Sequence, residues 1–167
     1  LIRSSDLDLL FPRDFIINLP APTNYIGPER VFAISSNPED EKNVLPIVRI
    51  VNDYQEFVPD KHRPGDEMPC YEDIPESLKE AVKAFILTCA VRIARGQEKK
   101  HNSMLIHVTR YQVWQNQIKM LVDELFHYYK GEIEASDPAF MKSLEQLYKK
   151  DFIPTTRDIL EVKEEMN

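Results

Sequence analysis

Glycine is scarce in this sequence. Only four occur in 167 residues, isolated at positions 27, 65, 96 and 131. A phosphate loop or a dinucleotide fingerprint needs clustered glycines, so that the backbone can approach a pyrophosphate. Neither pattern is present, which argues strongly against a self-contained nucleotide-hydrolysing domain. Cysteine is scarcer still. Cys70 lies in a polar, proline-rich loop, and Cys89 lies in an apolar run that reads as core. Two unmatched cysteines make no disulfide framework, so a reducing compartment, the cytoplasm, is expected. The four histidines, at 62, 101, 107 and 127, have no paired His/Cys spacing, and no metal centre is expected. No apolar run approaches the length of a membrane span, and no signal peptide is visible. Excess positive charge is also missing. The net charge is -7, unlike a domain wrapped in nucleic acid, although a local basic patch stays open.

Proline is the residue present in quantity, and it divides the chain. Nine of the twelve prolines precede residue 70. Each removes a backbone donor and breaks helices, so strands and loops are expected over 1–72 and helices over 73–167. In the first part, Phe15-Ile16-Ile17-Asn18-Leu19 is a strand candidate stopped by Pro20. Gly27-Pro28-Glu29-Arg30 opens a short helix through Phe32. Residues 35–43 are polar and should be exposed. Ile47-Val48-Arg49-Ile50-Val51 reads as a second strand, and residues 52–72 as irregular.

The second part is periodic. Pro75 suits a first helical turn, and Leu78, Val82, Phe85, Cys89 and Ile93 follow helical spacing. Ile86 and Ala90 widen that stripe, so much of this helix should be buried. Gly96 supplies its C-cap. After a polar turn, Ser103-Met104-Leu105-Ile106-His107-Val108-Thr109 reads as a near-continuous apolar strand covered on both faces. Helix resumes near Tyr111, with Trp114, Ile118, Leu121, Leu125 and Tyr128 or Tyr129 on its buried stripe and Gly131 at its end. Asp137-Pro138 reads as an N-cap followed by proline at the first helical position. Phe140, Met141, Leu144, Leu147 and Tyr148 form the next apolar face, and Thr155-Thr156 begins a last helix. Helix, buried strand, helix gives an α/β fold class. The first residue is Leu, and the last residues stop inside a helical pattern. Both features suggest a segment of a longer protein truncated at its C-terminus.

Candidate chemistry is sparse. His107, inside the expected strand, is either a core histidine with a hydrogen-bond partner or a polar group near a strand end where α/β sheets bind ligands. A Mg²⁺-dependent nuclease needs converging carboxylates and a lysine that steadies the attacking water. The acid-x-Lys triplets Asp40/Lys42, Glu98/Lys100 and Glu161/Lys163 all fall outside apolar strands. Basic groups gather at Arg92, Arg95, Lys99, Lys100 and His101, and Arg110 follows the strand. They either complement a helix C-terminus or, at Thr109-Arg110, present a hydroxyl and a guanidinium to a phosphate. Tyr111 and Trp114 could stack on bases, but Trp114 shares the Ile118/Leu121 stripe and reads as core.

Four stretches are more specific. They are Asp8-Leu9-Leu10-Phe11-Pro12-Arg13-Asp14-Phe15-Ile16, the loop Leu19 to Glu29, Ile74-Pro75-Glu76-Ser77-Leu78-Lys79-Glu80-Ala81, and His101 to Arg110. In that order, over nearly the whole chain, they resemble the Z1 domain of prokaryotic multidomain proteins. Members of that family resemble superfamily-two helicases, are often labelled endonucleases, and are associated with restriction–modification or phage-defence loci. The resemblance implies that strand 103–109 opens a second RecA-like lobe, with Thr109-Arg110 at a nucleic-acid-backbone contact; Arg13 is a further candidate for a phosphate contact. It also implies ATP and Mg²⁺ for the parent protein, with no cofactor held in this segment. The expected partners are DNA, the flanking ATPase lobes and restriction–modification subunits, with no membrane. The expected function is a non-catalytic module contributing DNA-backbone contact or lobe coupling. A Mg²⁺-dependent endonuclease domain and a protein–protein adaptor of a defence complex are the rivals.

Overall fold

The structure, a computed structural model, describes residues 27–32 and 47–157. The chain divides into two compact units, Leu1–Pro46 and Ile47–Asn167. In the first, helix α1 spans Pro28–Phe32, as its Gly-Pro start suggests. The strand expected at Phe15–Leu19 and the exposed segment 35–43 lie outside the described residues.

The second unit is built on three helices: α2 (Glu76–Ala94), α3 (Gln112–Glu134) and α4 (Pro138–Leu147). A 3₁₀ turn, Tyr71–Asp73, precedes α2. A π turn, Tyr148–Phe152, follows α4, and helical backbone continues over 153–157 without a fresh start at Thr155. The core is formed where α4 packs against α2 and α3. It joins Phe57, Val58 and Ile74 of the incoming loop to Val82 of α2, to Ile118, Leu121, Leu125 and Tyr129 of α3, and to Phe140 and Leu144 of α4. Trp114 and Leu147 are buried as well. The buried set of α3 recurs every three or four residues, which is the stripe its sequence shows. Met141 and Tyr148, expected on the same apolar face as Phe140, lie substantially exposed.

The expected α/β class is overturned. Among the described residues there is no strand. Ile47 lies in a turn, residues 48–51 and 103–109 have no regular secondary structure, and among the described residues neither segment pairs with another. Among the described residues, no backbone N–H from 101 to 110 meets a backbone carbonyl. The segment is not sandwiched either: Leu105 is 86% exposed, and Ile50 in the earlier segment is 88% exposed. The physical reason is that apolar, β-branched residues favour an extended backbone but do not supply the neighbour that a ladder requires. The expected second-lobe strand is therefore an arm with no ladder partner among the described residues, anchored to the core through Ile106.

The helix ends show where local signals succeed and where they fail. At the start of α2, Pro75 is the N-cap and has no side chain to offer. Asp53, 24 residues before Ser77, takes over the capping. Its carboxylate accepts the Ser77 amide at 2.9 Å and the Ser77 hydroxyl at 2.6 Å, and these bonds hold it below the usual carboxylate range. Gly96 ends α2 as expected, at φ 69°, with Gln97 N–H donating to Arg92 O and Gly96 N–H to Ile93 O. Burial along α2 is less than its sequence suggests, since only Val82 is fully buried and Ile93 is 62% exposed. Gly131 does not end α3. The helix runs through it to Glu134, and Ser136 adopts the left-handed conformation instead, at φ 52°. Asp137 N–H donates to Glu132 O and Ser136 N–H to Ile133 O, the same closing pattern without glycine. Asp137 then caps α4, its carboxylate accepting the Phe140 amide at 2.7 Å, with Pro138 at the first position.

Candidate nucleic-acid interface

The loop 59–66 folds back on itself. His62 N–H donates to Pro59 O, Asp66 N–H to Arg63 O, and the Asp66 carboxylate accepts the Arg63 amide at 2.7 Å. Two contacts fasten this loop to the start of α3. Trp114 Nε1–H donates to Arg63 O at 2.8 Å, so the buried indole that belongs to the α3 stripe also pins the loop. The His62 ring lies against Trp114 and meets the Tyr111 ring edge-on. Trp114 is 1% exposed, which settles its role as core rather than a stacking platform.

Thr109 is the hinge between loop and helix. It is 5% exposed, the one buried polar residue among those described. His62 Nδ1 lies 2.6 Å from the Pro59 carbonyl, which can only accept, so Nδ1 carries a proton. In the neutral imidazole, Nε2 then accepts the Thr109 hydroxyl at 2.5 Å, and Thr109 Oγ1 accepts the Tyr111 amide at 3.2 Å. The Thr109 carbonyl accepts from Gln115 Nε2 at 2.7 Å. The hydroxyl expected to face a phosphate is thus engaged in joining residues 47 positions apart.

These contacts shape an open cavity of about 690 Å³ lined by residues 60–63 and 107–111. Lys61, Arg63 and Arg110 bring three cations to it, against the single carboxylate of Asp60. Among the described residues, none of the three cations makes an ion pair. The Asp60 carboxylate accepts the Tyr54 hydroxyl at 3.2 Å. Arg110 lies over the Tyr111 ring and donates to its hydroxyl at 3.0 Å, a bond that holds the guanidinium proton more firmly. Tyr111 is the N-cap of α3, whose first turn has no acidic residue. The cavity is a local excess of positive charge in a chain whose net charge is -7, suited to an anion rather than to a metal.

The structure brings Thr109, Arg110 and His107 to one cavity; Arg13 lies outside the described residues. His107 is not the core histidine expected from a buried strand, because its side chain is exposed on the cavity wall. Arg92, Arg95 and Lys99 to His101 are not among the residues lining this cavity. Arg92 donates to Asn102 at 3.4 Å, and its buried Nε has no partner. Sequence reasoning missed Lys61, His62 and Arg63. The only signal was the run Lys61-His62-Arg63 after Asp60, between Pro59 and Pro64. Among the described residues, no group of three His, Cys, Asp or Glu could hold a metal ion. No described helix is long and apolar enough to cross a membrane.

The described residues form a helical unit with an open, cationic cavity. Residues 77–167 match the family model of the Z1 domain, and the chain belongs to that family. The matched span contains Thr109 and Arg110 but not the loop that supplies Lys61 to Arg63. No curated protein and no solved structure matches the chain.

Proposed function

We propose that this chain is a non-catalytic module of a helicase-like restriction or defence protein, and that it contacts the DNA backbone through the cavity around Arg110. The observation that carries the reading is the convergence of Lys61, Arg63 and Arg110, none of them in an ion pair among the described residues, on one open cavity. Arg110 supplies a planar fork that matches phosphate oxygens, and Lys61 and Arg63 supply further charge. Thr109 and His62 hold the two halves of the site together, and His107 adds a donor on the wall. ATP and Mg²⁺ chemistry belongs, in this reading, to the flanking lobes of the parent protein, as do its restriction–modification partners.

Fluorescence anisotropy with labelled DNA, repeated over a range of salt, tests this. Binding should weaken steeply with salt. Arg110→Ala should lower affinity and flatten the log–log salt slope by roughly 0.7–0.9 for each phosphate it no longer neutralises. An unchanged affinity and slope would remove the phosphate role.

A further inference from the structure

A second cavity, of about 650 Å³, lies against the first. The two share Asp60, His62, His107 and Val108 in their walls. Their linings differ in kind. The second is walled by Tyr54, Phe57 and Val58, by Leu78 of α2, and by Met104 and Leu105 of the arm. Its volume lies within the range that ordinary small-molecule sites occupy. One ligand group matches this pairing: a flat, largely apolar ring tethered to an anion by a short linker, which is one nucleotide.

We propose that the apolar cavity receives a single unpaired base of a DNA strand whose phosphate sits among Lys61, Arg63 and Arg110. This rests on the phosphate reading above and adds the form of DNA recognised: single-stranded, with one base turned into the protein. The Tyr54 ring, 37% exposed, provides a face for the base. Asp60 stands at the shared wall, acceptor-only when ionised. A carboxylate there accepts an exocyclic amino group, so cytosine and adenine fit better than thymine, which carries the acceptor O4 in place of that amino group. An apolar peptide or a hydrocarbon chain without an anionic head would fill the second cavity but would leave the three cations beside it unmatched.

The experiment compares short single strands of equal length on the full chain: oligo-dC, oligo-dT and a fully abasic backbone. Stacking one base predicts that oligo-dC binds at least about 5-fold tighter than the abasic strand, with oligo-dT in between. Leu105→Ser and Tyr54→Ala should reduce that ratio towards one while leaving abasic binding and its salt slope intact. Leu105 is 86% exposed, so its replacement is expected to leave the fold intact; circular dichroism checks this. Arg110→Ala should weaken all three strands alike. An unchanged dC-to-abasic ratio in both cavity variants, with Arg110→Ala still weakening every strand, overturns the base site and leaves the phosphate reading standing. Failure of every strand to bind sinks both. Displacement of the strands by dCMP at equal concentration would show that a free nucleotide, not a strand, is the ligand, and would overturn the proposal.

Discussion

Helix α3 carries a periodic apolar stripe and the arm 103–109 a near-continuous apolar run, yet the structure treats them oppositely. In α3 the sequence stripe and the buried stripe coincide at Trp114, Ile118, Leu121 and Leu125, with Tyr129 rather than Tyr128 completing it. In the arm, Leu105 lies almost fully exposed and no ladder forms. A helix closes its hydrogen bonds on itself, so a local pattern is enough to specify it. A strand needs a neighbour, and no pattern within seven residues can state whether one is there.

Truncating one side chain in each region should separate the two most forcefully. Leu125→Ala, at 1% exposure, should cost about 2–5 kcal/mol in urea unfolding. Leu105→Ala should stay within about 0.5 kcal/mol. Comparable losses would mean that the arm is packed after all. The buried end of α3 gives a second measurement. Burial pushes the Tyr129 hydroxyl up to about 12, with Lys83 over its ring. The neutral phenol is therefore favoured in the folded state. The associated stability is complete below pH 10 and is lost as pH rises from there towards 12. Tyrosinate absorbance should show a late-titrating component near pH 12 that Tyr129→Phe removes.

Two glycines repeat the contrast on a finer scale. Gly131, inside α3 with open space where a Cβ would go, should gain roughly 0.5–1 kcal/mol on replacement by alanine. Gly96, at φ 69°, should lose about 1 kcal/mol on the same change, because a Cβ is strained there. Thermal melts of the two variants should move in opposite directions. The smallest effect expected belongs to Asp53. Its folded carboxyl is held below the unfolded value of 3.8 by Ser77. Its contribution is present above that pH and fades as pH falls through the lower folded value. Asp53→Asn should flatten the acid limb of the stability–pH curve; an unaltered limb would show that the cap does not titrate.

Much of the helical architecture was legible because its signals are local. Pro28, Gly96 and the Asp137-Pro138 pair each act within a few residues of a helix end. Gly131 misled because a lone exposed glycine costs a helix only about 1 kcal/mol, less than the closing bonds at Ser136 recover together with burial of Tyr129. The site was half legible. Thr109, Arg110 and His107 lie on one segment, and their grouping could be read. Lys61 and Arg63 join them only through the His62–Thr109 and Trp114–Arg63 bonds, which span 47 and 51 residues. Nothing in the spacing of the sequence encodes such links.

The π turn at Tyr148–Phe152 has a geometric consequence for everything after it. A wider turn takes in an extra residue, so the helix beyond is out of phase with α4 by about 100°, one residue's worth of rotation. The Phe140/Leu144/Leu147 stripe cannot be extrapolated past residue 152. Within the turn, Lys150 reaches Glu80 of α2 and Asp151 reaches Arg49 of the irregular segment that precedes α2. Removing one residue there would restore a single screw phase and turn residues 153–157 to face a different side of the molecule.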